Sequence, residues 1–419
     1  MKKDIACIIL AAGKSTRMKS DYPKVLHSLC GWPMLGYILD LVSELKIKKA
    51  VAVLGYKHAE VRKLIPSGIK VVIQKSLLGT ADAVKEALPQ FKNLKGHILV
   101  LYGDNPLLKK ETIKGLIKYH TENNVAATLL TADVHKPAGY GRVLRDKYSS
   151  ISGIVEEKDA DDYQKEIKEI NTGIMCFKKD ALKSALGRVR PNNRKKEYYL
   201  TDVIAILYKQ GLLIDSVKIE DINEALGINS REELAKANSV MQERINAKLM
   251  QQGVTIIDPG SSFISFGAKI GKDCVIYPFT VIERNVTIGK RCQVGPFIHL
   301  REGTQVGNDA IIGNFVELVR SRVGAKTLVK HFSYLGDSRI GNSVNIGAGT
   351  ITANFNGTKK TETIIKDKAL IGSDTVLVAP VTVGRKSITG AGAVVTKKVP
   401  DCVTVVGVPA RILKRGKNG

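Results

Sequence analysis

The chain has 419 residues, 44% of them hydrophobic, which is too long for one ordinary core and ample to bury two or more. The net charge of +25 fits nucleic acid, a membrane surface or small anions such as nucleotides, but the basic residues form no block of five and no aromatic-interleaved patch, so attraction of small anions is favoured over nucleic-acid recognition. No apolar run reaches the length of a membrane span, and six cysteines without a C-x-x-C pair predict reduced thiols, a cytoplasmic protein and no zinc site.

Residues 1 to about 130 alternate short aliphatic runs with helical patterns. Ile5–Leu10, Ala50–Leu54, Ile69–Gln74, His97–Tyr102 and Ala126–Thr131 read as strands, and Pro33–Leu45 as a helix with Pro33 in its first turn. This alternation predicts an α/β domain: a doubly wound, Rossmann-like parallel sheet covered on both faces. The first run sits behind Lys2 and Lys3 like a signal peptide, but Gly13, Lys14 and Arg17 follow at once, so it reads as a buried strand.

The loop leaving that strand, Leu10-Ala11-Ala12-Gly13-Lys14-Ser15-Thr16-Arg17-Met18, carries glycine and two cations, with Lys24 shortly after. Backbone N–H groups in such a loop can face phosphate oxygens while the cations supply charge. A Walker loop needs glycine five residues before Gly13, where Ile8 stands, and no G-x-G-x-x-G is present, so neither a P-loop ATPase nor a nicotinamide site is expected. Asp104 stands just past the carboxyl end of a predicted strand, where open α/β sheets place ligands and a carboxylate suits Mg²⁺ between phosphate oxygens; a turn-forming Asp is the plainer reading of that residue alone.

Residues 131–228 continue less regularly. From Ser230 to Gln252 a helix sets Leu234, Met241, Ile245 and Leu249 on one face, capped by Ser230 with Glu233 three residues on. The expected division is 1–229, a linking helix at 230–252, and 253–419.

From Ile270 an aliphatic residue returns every sixth position: Ile276, Ile282, Ile288, Val294, Leu300, Val306, Ile312 and Leu318. The rhythm resumes at Val323, Val329, Leu335, Ile340 and Ile346, and after an interruption at Ile365, Ile371, Leu377, Val383, Thr389 and Val395, often with glycine following. Neither a helix nor a half-buried strand repeats at six, whereas short strands turning the corners of a stacked prism do: a parallel β-helix. Cys274 and Cys292, 18 residues apart, then stack on successive coils, and small buried residues filling a repeated slot are favoured there over a disulfide. Lys414 to Gly419 read as a frayed basic end.

The stretches LAAGKSTRM, PKVLH (Pro23 to His27), LGTADA (Leu78 to Ala83), LYGDNPLL (Leu101 to Leu108), GYGR (Gly139 to Arg142), GIVEEKDA (Gly153 to Ala160), INTGI (Ile170 to Ile174) and EYYLTD (Glu197 to Asp202) together resemble the sugar-phosphate nucleotidyltransferases. The similarity is greatest to the bifunctional N-acetylglucosamine-1-phosphate uridyltransferase/glucosamine-1-phosphate N-acetyltransferases, and it covers essentially the whole chain. It implies that Leu10, Ala11, Ala12, Gly13, Gln74, Gly79, Thr80, Tyr102 and Gly103 bind the nucleotide and sugar, that Gly141, Glu156 and Asn171 contact N-acetylglucosamine, and that Asp104 and Asn229 hold Mg²⁺. The implied reaction is in-line attack by the sugar phosphate on UTP with Arg17 and Lys24 neutralising charge. One departure is Ala81-Asp82, where the family usually has Gly-His.

In the second half, VKHFSYLGD and VNIGAGT resemble the acetyltransferase part of that family. The resemblance makes His331 the base for amine attack on acetyl-CoA, gives glucosamine-1-phosphate to Arg301, Tyr334, Asn345 and Lys360, and sets Ala348, Asn354, Phe355, Ser373 and Ala391 along the coenzyme A path. It also implies a homotrimer with shared acetyl sites and a left-handed coil. The family's phosphate-binding lysine is replaced by Val319, with Arg320 next to it, and a C-terminal arginine by Gly407 or Val408. The run from Pro259 to Arg301 is about two coils short for the family. Val319 favours the rival reading, a nucleotidyltransferase whose β-helix is only a trimerisation scaffold.

Overall fold

The computed structural model describes residues 4–14 and 16–415; Lys2, Lys3, Ser15 and the end of the basic tail, Gly416 to Gly419, lie outside the described residues. Cα packing divides the chain into Met1–Asn238 and Ser239–Gly419. The boundary falls inside the predicted helix rather than on either side of it.

In the first unit the strands are β1 (Ile5–Ala11), β2 (Lys49–Leu54), β3 (Lys70–Ile73), β4 (His97–Tyr102), β5 (Ala127–Asp133), β6 (Gly141–Arg145), β7 (Ile151–Val155), β8 (Glu169–Lys178) and β9 (Ile214–Lys218). They form one sheet in the order β9-β5-β8-β4-β1-β2-β3, with β6 and β7 attached beside β8. Neighbours run parallel except where β8 inserts antiparallel between β4 and β5 and where β6 pairs antiparallel with β8 and β7. The side chains of β1 alternate between two cores: Ala6, Ile8 and Leu10 pack on one face, Cys7, Ile9 and Ala11 on the other. Burial on both faces is why this strand reads as an unbroken aliphatic run.

Local contacts set where two of the helices begin. Helix α1 (Met34–Glu44) starts one residue later than expected, because Pro33 is held extended (φ −57°, ψ 142°) in a two-residue ribbon opposite Ser28. Helix α2 (Arg231–Gln251) has the predicted cap: Glu233 N–H donates to Ser230 Oγ (3.2 Å), and Glu233 Oε2 accepts from Ser230 N–H (2.9 Å) and Asn229 N–H (2.6 Å).

The second unit is a left-handed parallel β-helix whose strands of two to five residues build sheets of ten, eight and seven strands among the described residues. Every hexad residue from Ile270 to Val395 named above is buried. Cα partners are 18 residues apart at Val275, Gln293 and Ile311, fall to 17 at Leu328 after the shortened step to Val323, and rise to 25 between Asn345 and Leu370, where the interruption leaves the coil. Glycines follow hexad residues because coils touch there: a Cβ on Gly313 would lie 1.9 Å from the Lys330 carbonyl, and one on Gly307 2.7 Å from Ala325 N. Cys274 and Cys292 are free thiols, buried in a column with Ala310, Thr327, Val344, Ala369 and Ser387 on later coils, as the small-residue reading expected. Asn246 of α2, buried to 1%, donates to the carbonyls of Pro259 (2.9 Å) and Ser262 (3.2 Å), and Ile245 and Leu249 join the prism core.

Candidate functional site

The carboxyl ends of β1, β3 and β4 meet at one edge of the first unit's sheet. Gly103 N–H donates to Leu10 O (2.9 Å) and Gln74 N–H to Leu54 O (2.8 Å), so the loops after these strands start from fixed points. They border a cavity of about 490 Å³ lined by Leu10, Ala11, Ala12, Gly13, Lys14, Lys24, Gln74, Gly79, Thr80, Tyr102, Asp104 and Asn229, among others. Gly103 is not among these lining residues, and a Cβ there would lie 3.2 Å from Leu35 and Val25 and 3.3 Å from Ala11. A second cavity of about 640 Å³ shares Thr80, Tyr102 and Asn229 and adds Arg17, Gly141, Glu156 and Asn171. The residues expected for nucleotide and sugar thus fall into two adjoining spaces.

On the wall of the first cavity Lys24 Nζ donates to Asp104 Oδ2 and to Asn229 Oδ1 (2.9 Å), and Asn229 is shared with the second. Asn229 Nδ2 donates to the Gly227 carbonyl (3.0 Å), an acceptor only, which fixes the amide with its oxygen toward Lys24. Ile228 N–H donates to Asp104 O (3.0 Å) and binds the two segments together. Two side-chain oxygens therefore converge on one cation, a donor set that suits a hard divalent ion completed by phosphate oxygens. Among the described residues no cluster of three or more His, Cys, Asp or Glu side chains could hold a metal alone. Lys14 is exposed, with Nζ 5.3 Å from the centre of the Tyr56 ring, and Arg17 is exposed at the mouth of the larger cavity.

The larger cavity has an acidic wall. Glu156 Oε1 accepts from Thr201 Oγ1 (3.0 Å); burial raises its carboxyl above the ordinary range, against the lowering effect of that hydrogen bond and of Lys195. Asp202 is raised to about 6 by burial and then by Glu156 and Asp159. Tyr102 is raised by burial and then by Glu156 and Asp104, so its hydroxyl stays protonated. Gly141 pairs with Asn171 in register, and a Cβ at Gly141 would lie 3.5 Å from Glu156 Oε2. Asn171 Oδ1 accepts from Gly173 N–H (3.1 Å). Lys195 and Glu197, which line both cavities, carried no separate signal in the sequence: Glu197 opens the EYYLTD motif, but Lys195 sits in an ordinary polar run.

In the second unit, His331 stands exposed at a prism corner. Ala348, Ser373 and Ala391 follow on the same corner of later coils: Gly349 N–H donates to Phe332 O (2.7 Å), Asp374 N–H to Ala348 O (2.6 Å) and Gly392 N–H to Ser373 O (2.8 Å). Around the prism, Arg301 Nη1 donates to Glu317 Oε1 (3.2 Å), and Glu317 pairs in register with Tyr334. Asn345 pairs with Leu328 one sheet away. The extruded loop is a small hairpin with a Phe355–Lys360 bridge, both residues exposed, and it closes where Thr361 N–H donates to Asn354 O (2.8 Å). Asn354 itself is buried, its Nδ2 donating to Asp337 Oδ2 (2.6 Å), so its side chain pins the base of the loop. Val319 is buried to 3% and Arg320 makes a two-pronged pair with Asp337 (2.6 and 2.7 Å), so neither supplies a free cation.

The chain resembles known proteins over both units. Residues 7–166 match the MobA-like NTP transferase domain, 262–297 and 285–320 the bacterial transferase hexapeptide repeat, and 362–397 the hexapeptide repeat of succinyl-transferase. Proteins called bifunctional protein GlmU are 42% identical over 94% of this chain and 94% of theirs in Desulfitobacterium hafniense (strain DSM 10664 / DCB-2), 44% over 94% and 92% in Thermosipho africanus, and 39% over 98% and 97% in Alkaliphilus metalliredigens. With a nucleotidyltransferase unit and a hexapeptide-repeat acyltransferase unit joined in one polypeptide, the chain belongs to the bifunctional GlmU family.

Proposed function

We propose that the chain makes UDP-N-acetylglucosamine in two steps at separate sites, acetylating glucosamine-1-phosphate in residues 253–419 and uridylylating the product in residues 1–229, with 230–252 as the link. The observation that carries the first-unit reading is the convergence of Lys24, Asp104 and Asn229 on the wall of the first cavity, with Asn229 shared by the second.

In uridylyl transfer, a phosphate oxygen of N-acetylglucosamine-1-phosphate forms a bond to the α-phosphorus of UTP as the bond to the β-phosphate oxygen breaks and pyrophosphate leaves. No protein nucleophile is needed. Lys24, Lys14 and Arg17 offset phosphate charge, and the N–H groups of the Ala11–Lys14 loop orient the triphosphate. Asp104 and Asn229 would hold Mg²⁺, which when bound supplies Lewis-acid neutralisation of phosphate oxygens. Glu156 and Asn171 hold the sugar: a carboxylate accepts from hydroxyls, and the amide pairs with the acetamido group.

In acetyl transfer, the glucosamine nitrogen forms a bond to the thioester carbon of acetyl-CoA while His331 takes a proton from that nitrogen and the carbon–sulfur bond breaks to release coenzyme A. The Ala348–Ser373–Ala391 corner, with small side chains, leaves a track for the cofactor, and Phe355 on the extruded loop, which leaves the coil after Ile351–Ala353, is assigned to the same cofactor. Arg301, Tyr334, Asn345 and Lys360 receive the sugar phosphate. With Val319 buried and Arg320 paired to Asp337, its cations are the exposed Lys360 and Arg301, the latter already hydrogen-bonded to Glu317.

Shared acetyl sites in a homotrimer fit the exposed ladder Phe279–Phe297–Phe315, whose rings stack at 4.9 and 5.2 Å along one corner. The free thiols and the absence, among the described residues, of a helix long and apolar enough to cross a membrane support the cytoplasmic reading. Reciprocal variants test the two-site assignment. His331→Ala is expected to lose about 10²-fold or more in acetyl transfer with uridylyl transfer intact; a loss of both activities would contradict separate sites.

A further inference from the structure

Gln74 lines the 490 Å³ cavity and is itself 5% exposed. A glutamine can offer a base either a donor or an acceptor, and its surroundings decide which. Here Nε2 donates to Asp82 Oδ2 (2.8 Å) and to the Gly79 carbonyl (3.1 Å). A carboxylate and a carbonyl both accept, so the reversed amide would set oxygen against oxygen at both positions; the chemistry of the partners fixes its direction.

Neither partner can drift. Gly79 adopts φ +122°, and a Cβ there would lie 2.4 Å from the Tyr198 carbonyl. The flanking backbone is tied to Tyr198 on both sides, by Tyr198 N–H to Leu78 O (2.7 Å) and Ala81 N–H to Tyr198 O (2.9 Å). Asp82 follows on the first turn of the helix Thr80–Ala87. Both amide hydrogens of Gln74 are thereby used, and its Oε1 accepts from no protein donor among the described residues.

We infer that Asp82, one of the two residues where the LGTADA segment departs from the usual Gly-His, is a positioning residue that turns the Gln74 carbonyl oxygen to the nucleotide and so sets base preference. The inference rests on the uridylyl-transfer reading above. An acceptor selects the protonated ring nitrogen of uracil and opposes the bare ring nitrogen of cytosine, a difference made sharper by burial. Without Asp82 one anchor is gone, and the amide can turn to offer N–H instead.

The test is kcat/KM for UTP and CTP, with N-acetylglucosamine-1-phosphate, in the full chain and in Asp82→Ala, Gln74→Ala and the double variant, each checked by thermal unfolding. Asp82→Ala is expected to lower kcat/KM for UTP about 10-fold, chiefly through KM, and to narrow the UTP-to-CTP ratio by a similar factor. In the Gln74→Ala background it should change neither nucleotide further, because its effect passes through that side chain. An unchanged ratio, equal losses for both nucleotides with a lowered unfolding midpoint, or a full additional loss in the Gln74→Ala background would each overturn the inference. A wild-type chain that transfers no uridylyl group would instead overturn the reading beneath it.

Discussion

Lys24 Nζ reaches both Asp104 and Asn229, and each of these oxygens is aimed by a second bond or by its place at a strand end. Removing the carboxylate leaves Lys24 and the neutral amide with no anionic partner between them. Asp104→Ala is therefore expected to lower uridylyl transfer on the order of 10²-fold or more and to leave acetyl transfer unchanged, measured as pyrophosphate release and free thiol respectively. Asp202 gives a pH-dependent prediction. Its pKa rises from an ordinary 3.8 to about 6, first through burial and then through Glu156 and Asp159, so the folded chain binds this proton more tightly than the unfolded one. The group favours folding at low pH, and that contribution is lost as pH rises from 3.8 through about 6. Asp202→Asn should raise the unfolding midpoint above pH 6, with the gain vanishing toward pH 4; a gain confined to acid pH would contradict the assignment. Among single residues, Asp104 was readable because it stands past an aliphatic strand within the LYGDNPLL segment; taken alone it reads as well as a turn former. Asp82 showed as a departure, but its bond to Gln74 was not readable, since no periodicity sets which side chain meets which across a loop.

At the scale of elements, the six-residue period gave the prism, because every sixth side chain must fill the same interior column and a misfit there has nowhere to go. What it left out is the buried polar lining: Thr327 Oγ1 donates to Gly341 O (2.7 Å) and Ser321 Oγ to Leu335 O (2.9 Å), both fully buried, satisfying carbonyls at the corners. Serine and threonine between aliphatics carry no signal of their own, and the six-residue pattern does not single them out. The small-residue rule at coil contacts is testable. Gly313→Ala puts a methyl 1.9 Å from the carbonyl of Lys330, the residue before His331. It is expected to destabilise the second unit and to reduce acetyl transfer about 10-fold or more, while uridylyl transfer persists. Equal acetyl-transfer activity in the variant would show that the coils can separate without disturbing the site. The helix after Ser230 was legible through its reciprocal cap, and the same Glu233 carboxylate fixes the backbone of Asn229, which the capping pattern alone does not reveal.

For the whole molecule, the charge of +25 has no concentrated outlet, and its natural reading is a field that draws anionic substrates. Raising ionic strength from about 0.05 to about 0.5 M shortens that reach severalfold, so KM for UTP and for acetyl-CoA should both rise with kcat little changed. A KM indifferent to salt would make the excess lysine unrelated to catalysis. Resemblance across nearly the full length carried both activities into view, whereas the local departures at Asp82 and Val319 needed coordinates before they could be interpreted. Val319 turned out to be core, and Arg320 to be paired with Asp337, which leaves the sugar phosphate to other cations without removing the His331 corner. The most direct measurement is product analysis by phosphorus-31 resonance and mass spectrometry, supplying the full chain with glucosamine-1-phosphate, acetyl-CoA, UTP and Mg²⁺. The expected result is N-acetylglucosamine-1-phosphate appearing first, then UDP-N-acetylglucosamine with equimolar pyrophosphate; acetylated monophosphate that accumulates with UTP untouched, or a nucleotide sugar formed only when pre-acetylated substrate is given, would contradict a chain that performs both steps.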